Sequence, residues 1–334
     1  MSVHSYPPSI IATINEQQSE YRILRLINED EKDFSQNAVF YGYRIVKPSV
    51  NDKNKSIIQP QSGEIFAFKL LEVSKMDKDK YTRIHNTLHL FSDDPRVIQN
   101  QKVHIIRCKF NKYILIPTKY YPKKDLYEYI FYTSSNQIAK SDIIRIATFQ
   151  ALHILILLKK RNIVHNDFKF ENLMVTEEPI PIQPHFPFYI LVFDFDESEE
   201  VPENGKAKII AGTTIFNPPE VQKGLPHDYS TDIWSLGVNI YYYFCYNLPF
   251  GIIPGDSPDT IYEKQSLLRN DLFKPQSIPE DAFECIYQML QFEPEDRITP
   301  EEALQLKWFE GLSPIVPMRV DSFDTKSETN NETI

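Results

Sequence analysis

Cysteines are few in this sequence, and nothing in it is typical of a secreted or membrane-embedded chain. The three cysteines, Cys108, Cys245 and Cys285, lie far apart, which favours free thiols in a reducing compartment over a disulfide framework. The first residues lack the charged and apolar regions of a signal peptide, and no uninterrupted apolar run approaches the roughly 20 residues of a membrane span. We therefore expect an intracellular protein, cytoplasmic or nuclear, with no membrane partner.

Positive charge is also in short supply. The 36 Lys and Arg residues are outnumbered by 46 Asp and Glu residues, which gives a formal net charge of -10. This balance argues against nucleic acid as the main partner and mildly favours basic ligands, although a solvated acidic surface is the more usual explanation.

Internal repeats and Gly/Ser-rich or Pro-rich linkers are absent from the sequence, so nothing separates independent domains. The 334 residues exceed one average domain, and 42% of them are hydrophobic and 13% aromatic. This is enough to bury a sizeable core, and we expect one two-lobed fold.

The most informative segment covers residues 163–174. It follows a predicted helix, 141–160, whose apolar residues occupy nearly every face. The segment contains a carboxylate, an ammonium and a carboxamide: Asp167, Lys169 and Asn172. The first can accept a hydroxyl proton, the second can balance charge on a moving phosphoryl group, and the third can offer an oxygen to Mg²⁺. A surface loop rich in Asp and Lys is the alternative for so short a pattern.

The order His165-x-Asp167-x-Lys169-x-x-Asn172 closely resembles the catalytic loop of eukaryotic protein kinases in its serine/threonine form. Further segments resemble motifs of that family, in the family's order: A-x-K (Ala67 and Lys69), D-F-G (194–196), G-T-x-x-Y-x-A-P-E (212–220), D-x-W-S-x-G (232–237) and the late arginine (Arg297). The chain is therefore identified as a divergent member of the family over roughly residues 20–311.

The resemblance implies an α+β, bilobal protein kinase fold, with a small β-rich N-lobe that contains one main helix and a larger helical C-lobe. We place an N-terminal arm at 1–19, the kinase domain at 20–311 and a disordered tail at 312–334. Within the domain, the N-lobe covers about 20–118, the hinge 119–125 and the C-lobe about 126–311.

Local patterns agree with this division. Alternating apolar residues predict strands at 21–27, 38–46, 64–71, 103–110 and 112–117, and helical spacing predicts a helix at 76–92. A Lys/Asn/Gln/Pro-rich stretch at 47–63 is read as a hairpin insertion. A capping box at 299–302 is expected to start a last helix that runs through Trp308.

The resemblance also implies a role for each matched residue, with ATP and Mg²⁺ as cofactors. The catalytic residues are Asp167, Lys169 and Thr213. The ATP-binding residues are Lys69, Val39, Ala67, the gatekeeper Thr118, the hinge residues Lys119 and Tyr121, Asp125 near the ribose, and Met174. The metal ligands are Asn172 and Asp194. The structural residues are His165, Phe195, Glu220, Asp232 and Arg297, with Glu220 expected to pair with Arg297.

Two departures from the family pattern concern loops. The glycine positions of the phosphate-covering loop are occupied by Lys32, Phe34 and Asn37, so the loop should cover ATP less closely. Asn166 stands where many kinases have an arginine that grips an activation-loop phosphate, and residues 199–211 contain no Ser, Thr or Tyr. We therefore expect a loop that is fixed by its own packing rather than by phosphorylation.

Two further departures surround Lys69. Family spacing places His85 where the helix normally has the glutamate that holds this lysine, so either another acid holds it, or His85 is a neutral acceptor, or His85 has only a structural role. Asp196 replaces the glycine of D-F-G. It could be a third metal ligand, a brake that repels phosphate, or a residue that tolerates an unusual backbone conformation.

Two function classes follow from the resemblance. The first is an ATP-dependent serine/threonine kinase that transfers the γ-phosphoryl group of Mg-ATP to protein hydroxyls. The alternative is a pseudokinase that acts as a nucleotide-sensing or scaffolding module. For an active enzyme, Glu171 and Asp125 predict a substrate with basic residues before the phosphoacceptor, unless Glu171 is a plain loop acid and Asp125 a helix cap or ribose contact. The sequence predicts no oligomeric state.

Overall fold

The computed structural model describes residues 12–15, 19–26, 38–46, 65–72, 78–98, 104–108, 111–122, 125–133, 139–180, 186–203, 205–268 and 271–312. Four sets of predictions fall wholly or largely outside these residues. They are residues 1–11 and 16–18 of the predicted arm, the glycine-replacing positions Lys32, Phe34 and Asn37, the insertion at 47–63, and all but the first residue of the tail at 312–334.

Six strands of the first part of the chain form one antiparallel sheet, in the order β1-β2-β3-β4-β6-β5. Their bounds are β1 Ala12–Asn15, β2 Ser19–Leu26, β3 Ala38–Val46, β4 Ile65–Glu72, β5 His104–Cys108 and β6 Asn111–Lys119. The central strand β4 pairs Lys69 with Val39 on one side and Ala67 with Thr118 on the other. Because side chains alternate along a strand, Ala67 and Lys69 project from one face.

Helix α1, Lys78–Leu90, lies between β4 and β5 in the chain. Its residue Ile84 packs on the sheet against Leu71, Ile114 and Ile116. This apolar contact fixes the rotation of α1 about its axis, because it sets which face of the helix is turned to the sheet.

The remaining helices build the larger part of the molecule. They are α2 Leu126–Thr133, α3 Lys140–Lys160, α4 Pro219–Gln222, α5 Ser230–Cys245, α6 Pro258–Leu267, α7 Glu280–Met289 and α8 Pro300–Ala303. Two short antiparallel pairs accompany them, β7 Ile163–Val164 with β10 Glu199–Glu200 and β8 Leu173–Thr176 with β9 Tyr189–Val192.

Helix α3 is buried on nearly every face, as its apolar pattern predicts. Its buried Gln150 donates to the carbonyl oxygen of Phe188 and accepts from the N–H of Ile190, both at 3.1 Å. This amide links α3 to β9 and so sets the position of the residues that follow β9. By length and hydropathy α3 could also cross a bilayer, but 67% of its most apolar window is buried inside the protein, as in a core helix.

Two local predictions are wrong in detail. Strand β1 lies within the predicted arm and pairs with β2 from Ala12 opposite Ile23 to Asn15 opposite Glu20. Its four residues alternate apolar and polar, a pattern that the prediction of an arm overlooked. The capping box between Thr299 and Glu302 is confirmed, but α8 ends at Ala303.

The early end of α8 has a visible cause. The chain turns so that Trp308 packs against Phe244 of α5 and Phe309 packs against Phe149 of α3. Arg145 then donates to the carbonyl oxygens of Trp308 and Glu310. A continuous helix would not deliver both aromatic rings and both carbonyl groups to these partners.

Candidate active site

The loop at 165–172 is fixed to the helical core through the buried carboxylate of Asp232. The backbone N–H groups of His165 and Asn166 donate to its two oxygens at 2.8 and 3.1 Å. The Nε2 atom of His165 lies 3.0 Å from the carbonyl oxygen of Phe193, so this nitrogen carries a proton. The loop is thereby held between α5 and the end of β9.

The carboxylate of Asp167 is the centre of a compact polar cluster. Its Oδ1 accepts from the N–H and the Oγ1 of Thr213 at 2.9 and 2.8 Å. Its Oδ2 lies 2.8 Å from Nζ of Lys169 and 3.1 Å from Nδ2 of Asn172. Nζ of Lys169 also donates to Oγ1 of Thr213 at 2.7 Å. The structure therefore brings together the three residues assigned to catalysis.

The negative charge of Asp167 is stabilised although the group is mostly buried. Burial alone would raise its pKa, but the hydrogen bond and charge of Lys169 and the hydrogen bond from Thr213 outweigh burial and hold the pKa below its usual range. Asp167 is thus an anion at neutral pH. Its side chain is 17% exposed, which leaves an acceptor that a hydroxyl group can approach.

The two candidate metal ligands, Asn172 and Asp194, lie on neighbouring backbone. The N–H of Phe193 donates to the carbonyl oxygen of Asn172 at 3.1 Å, directly beyond the paired strands β8 and β9. Asn172 uses Nδ2 on Asp167, which leaves Oδ1 as an acceptor. Asp194 has a left-handed backbone, with φ of 63°, and its side chain is 32% exposed.

Lys69 reaches from β4 to two carboxylates of the turn that follows β9. Its Nζ lies 2.6 Å from Oδ1 of Asp194 and 2.7 Å from Oδ2 of Asp196. Burial opposes the charge of Lys69, but the two carboxylates outweigh it and raise its pKa above the usual value. Burial raises the pKa of Asp196, and Lys69 acts in the opposite direction.

Lys80 on helix α1 and Phe91, the first residue after it, contact the same turn. Nζ of Lys80 lies 2.7 Å from Oε1 of Glu197, and the ring of Phe91 stacks on Phe195 with centroids 5.4 Å apart. His85 is exposed, so the idea that it is the acceptor for Lys69 is wrong. Of the alternatives that the sequence leaves open, the structure has the one in which another acid holds Lys69.

The residues assigned to the adenine side lie on β3, β4 and β6 and on the segment after β6. Oγ1 of Thr118 donates to the carbonyl oxygen of Ala67 at 3.2 Å. Nζ of Lys119 pairs with Glu178 at 2.6 Å on the surface. Of Val39 the structure describes the backbone, which lies opposite Lys69.

The end of this segment is anchored to the larger part of the molecule. Tyr121 and Met174 pack at the edge of a small apolar cluster around Leu191. Asp125 forms a β-bridge with Met174, and its Oδ1 accepts from the N–H of Glu128 at 2.8 Å. Asp125 therefore caps α2, which was one of the two alternatives for this residue.

Asn166 ties the loop to the segment that precedes Gly212. It has a left-handed backbone, and its Oδ1 accepts from Nε2 of the buried His227 at 2.8 Å. His227 in turn forms a β-bridge with Ala207. Within the segment, the carboxylate of Glu199 accepts from two backbone N–H groups. Asn166, which stands where many kinases have an arginine, is thus already paired within the protein, and the segment is held by its own hydrogen bonds.

The ion pair predicted between Glu220 and Arg297 is present. It is bidentate, with N···O distances of 2.6 and 2.7 Å, and both side chains are buried. The guanidinium also donates to the carbonyl oxygens of Gln291 and Phe292. It therefore joins α4 to the segment between α7 and α8.

The geometry agrees with comparison to known proteins. The family described as protein kinase domain matches residues 53–309. The chain belongs to the protein kinase family. Among curated relatives, serine/threonine-protein kinase AtPK1/AtPK6 of Arabidopsis thaliana is 22% identical over 281 residues, which cover 81% of this chain and 55% of the relative. An Aurora kinase of Yarrowia lipolytica is 30% identical over 166 residues, 50% of this chain and 41% of the relative.

A third relative is serine/threonine-protein kinase ppk25 of Schizosaccharomyces pombe, which is 26% identical over 261 residues, 77% of this chain and 56% of the relative. The chain spans about half the length of the curated relatives that it matches. Protein kinases in general use ATP and Mg²⁺ and act on proteins.

Two functional contacts of this kinase-family chain were not predicted from the sequence. His227 as the partner of Asn166 left no local signal, because a single histidine in a loop matches no motif. The contact between Asp196 and Lys69 had a signal: the acid missing from the helix and the extra acid in D-F-D are complementary changes. Each was noted, but nothing in the sequence places them 2.7 Å apart.

Proposed function

We propose that the chain is a serine/threonine protein kinase that transfers the γ-phosphoryl group of Mg-ATP to hydroxyl groups of proteins. The observation that carries the proposal is the cluster in which Lys169, Thr213 and Asn172 all contact the ionised Asp167. We assign residues of about 20–118 to the N-lobe, 119–125 to the hinge and about 126–311 to the C-lobe. Nucleotide would bind between the lobes.

The donor set at the far end of the cluster fits Mg²⁺. Asn172 and Asp194 offer one amide oxygen and one carboxylate, and among the described residues no cluster of three or more His, Cys, Asp or Glu side chains forms a metal site. Mg²⁺ is usually held by one or two carboxylates together with substrate phosphates and water. When bound, the ion would neutralise charge on the phosphates.

In the proposed reaction, Asp167, Lys169 and Thr213 each have a separate role. Asp167 accepts a hydrogen bond from the substrate hydroxyl and takes its proton as the oxygen forms a bond to the γ-phosphorus and the bond to ADP breaks. Lys169, already 2.8 Å from Asp167, lies where it can balance charge on the moving phosphoryl group. Thr213 holds the carboxylate in one orientation through two hydrogen bonds.

Glu171 is the basis for the proposed substrate preference, a basic residue before the phosphoacceptor. Its Oε2 is buried and has no hydrogen-bond partner among the described residues, and burial raises its pKa. An arginine of the substrate would supply the missing partner through a charge-assisted hydrogen bond of about 1.5–3 kcal/mol. Asp125 is already occupied as the cap of α2, so the preference rests on Glu171.

A positional-scanning peptide array tests this preference. Wild type should favour arginine two or three residues before the acceptor, and Glu171→Gln should lose that preference by roughly 10-fold. Glu263→Gln, which removes the same charge from an exposed position on α6, is the matched control. An array that is indifferent to arginine, or one that Glu171→Gln leaves unchanged, would reject the preference.

The proposed activity is tested in two stages. A thermal-shift titration with ATP, with and without Mg²⁺, measures nucleotide binding, and a radiolabelled transfer assay on mixed protein substrates with phosphoamino-acid analysis measures chemistry. Magnesium-dependent stabilisation together with phosphoserine or phosphothreonine is expected. Stabilisation without transfer would replace the proposal with the pseudokinase alternative.

A further inference from the structure

We propose that Asp196 is the positioning residue for Lys69 and takes over the part that a glutamate of the C helix plays elsewhere in the family. The inference rests on the proposed function, because Lys69 is assigned there to the ATP phosphates. On this proposal, Asp196 of the D-F-D turn holds Lys69. It is not a third metal ligand, a brake that repels phosphate, or a residue chosen for its backbone conformation.

The first support is the geometry of the lysine. Its Nζ lies between Asp194 and Asp196, at 2.6 and 2.7 Å, and its side chain is only 16% exposed. Asp194 is also the carboxylate assigned to Mg²⁺. When it turns to the ion, Lys69 keeps a carboxylate only if a second one is present, and Asp196 is the second one.

The second support is the backbone of the turn. The left-handed residue here is Asp194, whereas Asp196 lies in the 3-10 turn Phe195–Glu197 and has no positive φ. Glycine's conformational freedom is therefore not needed at position 196. A backbone explanation for the substitution fails, and the side chain is what remains to be explained.

The third support comes from helix α1. Lys80 contacts the turn, and so does Phe91 directly after the helix. Since a helix turns 100° per residue, Thr87 lies on the same stripe as Lys80, about 20° away. Thr87 is 4% exposed, so it is the position where a helix acid would face the turn. His85 lies about 140° away from Lys80 on the helix and is exposed. The helix thus offers no acid on this face, and the turn supplies it.

Nucleotide affinity provides a test that does not depend on catalysis. The dissociation constant of the non-hydrolysable analogue AMP-PNP with Mg²⁺ would be measured for wild type, Asp196→Asn, Lys69→Met and the double variant, with melting temperatures as the check on folding. Asp196→Asn should weaken binding by about 10-fold in the wild-type background and have no further effect with Lys69→Met, because the acid acts through the lysine. In phosphate transfer, Asp196→Asn should lower kcat/KM on the order of 10²-fold.

The outcomes separate the alternatives. If Asp196→Asn tightens binding, the residue is a brake; if it weakens binding equally in the Lys69→Met background, it is a metal ligand or a structural residue. Unchanged affinity, or a wild type that binds no nucleotide, also overturns the inference. A wild type that binds nucleotide without transferring phosphate overturns the proposed function alone, since the affinity cycle still reports on Asp196.

A rescue experiment measures whether an acid placed on α1 can replace Asp196. Such recovery is not expected if Asp196 has only a structural role. Asp196→Gly restores the residue of the family motif, yet it should lose activity and affinity like Asp196→Asn. Adding Thr87→Glu returns an acid to the helix stripe and should recover at least part of the loss, while His85→Glu, the matched control, should recover none. Recovery by His85→Glu, or failure of both in proteins with the melting temperature of wild type, would overturn the assignment.

Discussion

Arg297→Met should destabilise the protein far more than the loss of an ordinary surface charge. In the wild-type protein the Arg297 side chain is fully buried and the Glu220 side chain is 7% exposed. The substitution keeps the apolar stem of residue 297 but leaves the buried Glu220 carboxylate without its cation. Breaking a buried pair by removing one partner costs about 3–5 kcal/mol. The loss of the hydrogen bonds to the carbonyl groups of Gln291 and Phe292 acts in the same direction.

The magnitude can be measured by urea unfolding and by the melting temperature. One kcal/mol corresponds to about 2–4 °C in a domain of 150–250 residues, so the melting temperature should fall on the order of 10 °C. Lys159→Met is the control, because its pair with Glu301 is exposed, with an N···O distance of 3.4 Å, and should contribute at most about 1 kcal/mol. The double variant Glu220→Leu/Arg297→Met should recover stability relative to Arg297→Met. If Arg297→Met costs no more than the control, the pair does not hold α4 in place.

Three further predictions concern the active site. Phosphatase treatment should leave activity unchanged, because Asn166 is paired with the buried His227 and residues 199–211 contain no hydroxyl side chain. A drop traced by mass spectrometry to a phosphate between residues 198 and 213 would refute this. The pKa of Asp167 is lowered, so the group is fully ionised above the pKa of an unfolded Asp. Its contribution to activity and stability should therefore be constant from about pH 6 to about pH 8 and be lost only as pH falls below about 4. A fall in kcat/KM on the acidic side of neutrality would contradict the assignment. Gly212→Ala should lower activity on the order of 10²-fold, since its Cβ would lie 2.0 Å from the carbonyl oxygen of Asn166, whereas the control Gly224→Ala, which also has positive φ but open space, should not.

Local chemistry was predictable wherever it is written in consecutive residues. The apolar faces of α3 and the capping box at Thr299 follow from residue types at fixed spacing. The pair between Glu220 and Arg297 was expected only from the resemblance to the family's motifs. In each case the residues involved match a motif whose physical reason is known. The expectation of a self-packed segment before Gly212 follows in the same way, from the absence of hydroxyl side chains.

Contacts between distant segments that no family motif supplies were not predictable, because they depend on register that sequence spacing does not fix. Counting back from Pro95 selects His85, but with Ile84 packed on the sheet and Phe91 on Phe195, His85 is exposed and Thr87 is buried. The sequence did not identify Asp196 as the partner of Lys69 for the same reason, since the two residues are 127 positions apart in the chain (196 − 69). The contact depends on the turn after β9 lying beside β4.

The most direct test of the central claim compares phosphate transfer by wild type and Asp167→Asn. The variant keeps the size of the side chain and can still contact Thr213. It should therefore stay folded, with a melting temperature lowered only by the loss of the ion pair with Lys169, and should keep nearly the same affinity for Mg-AMP-PNP. Transfer of radiolabelled γ-phosphate to serine or threonine should fall on the order of 10²-fold or more, because the proton acceptor is gone. Equal turnover by the two proteins would contradict the assignment of this loop as the catalytic centre.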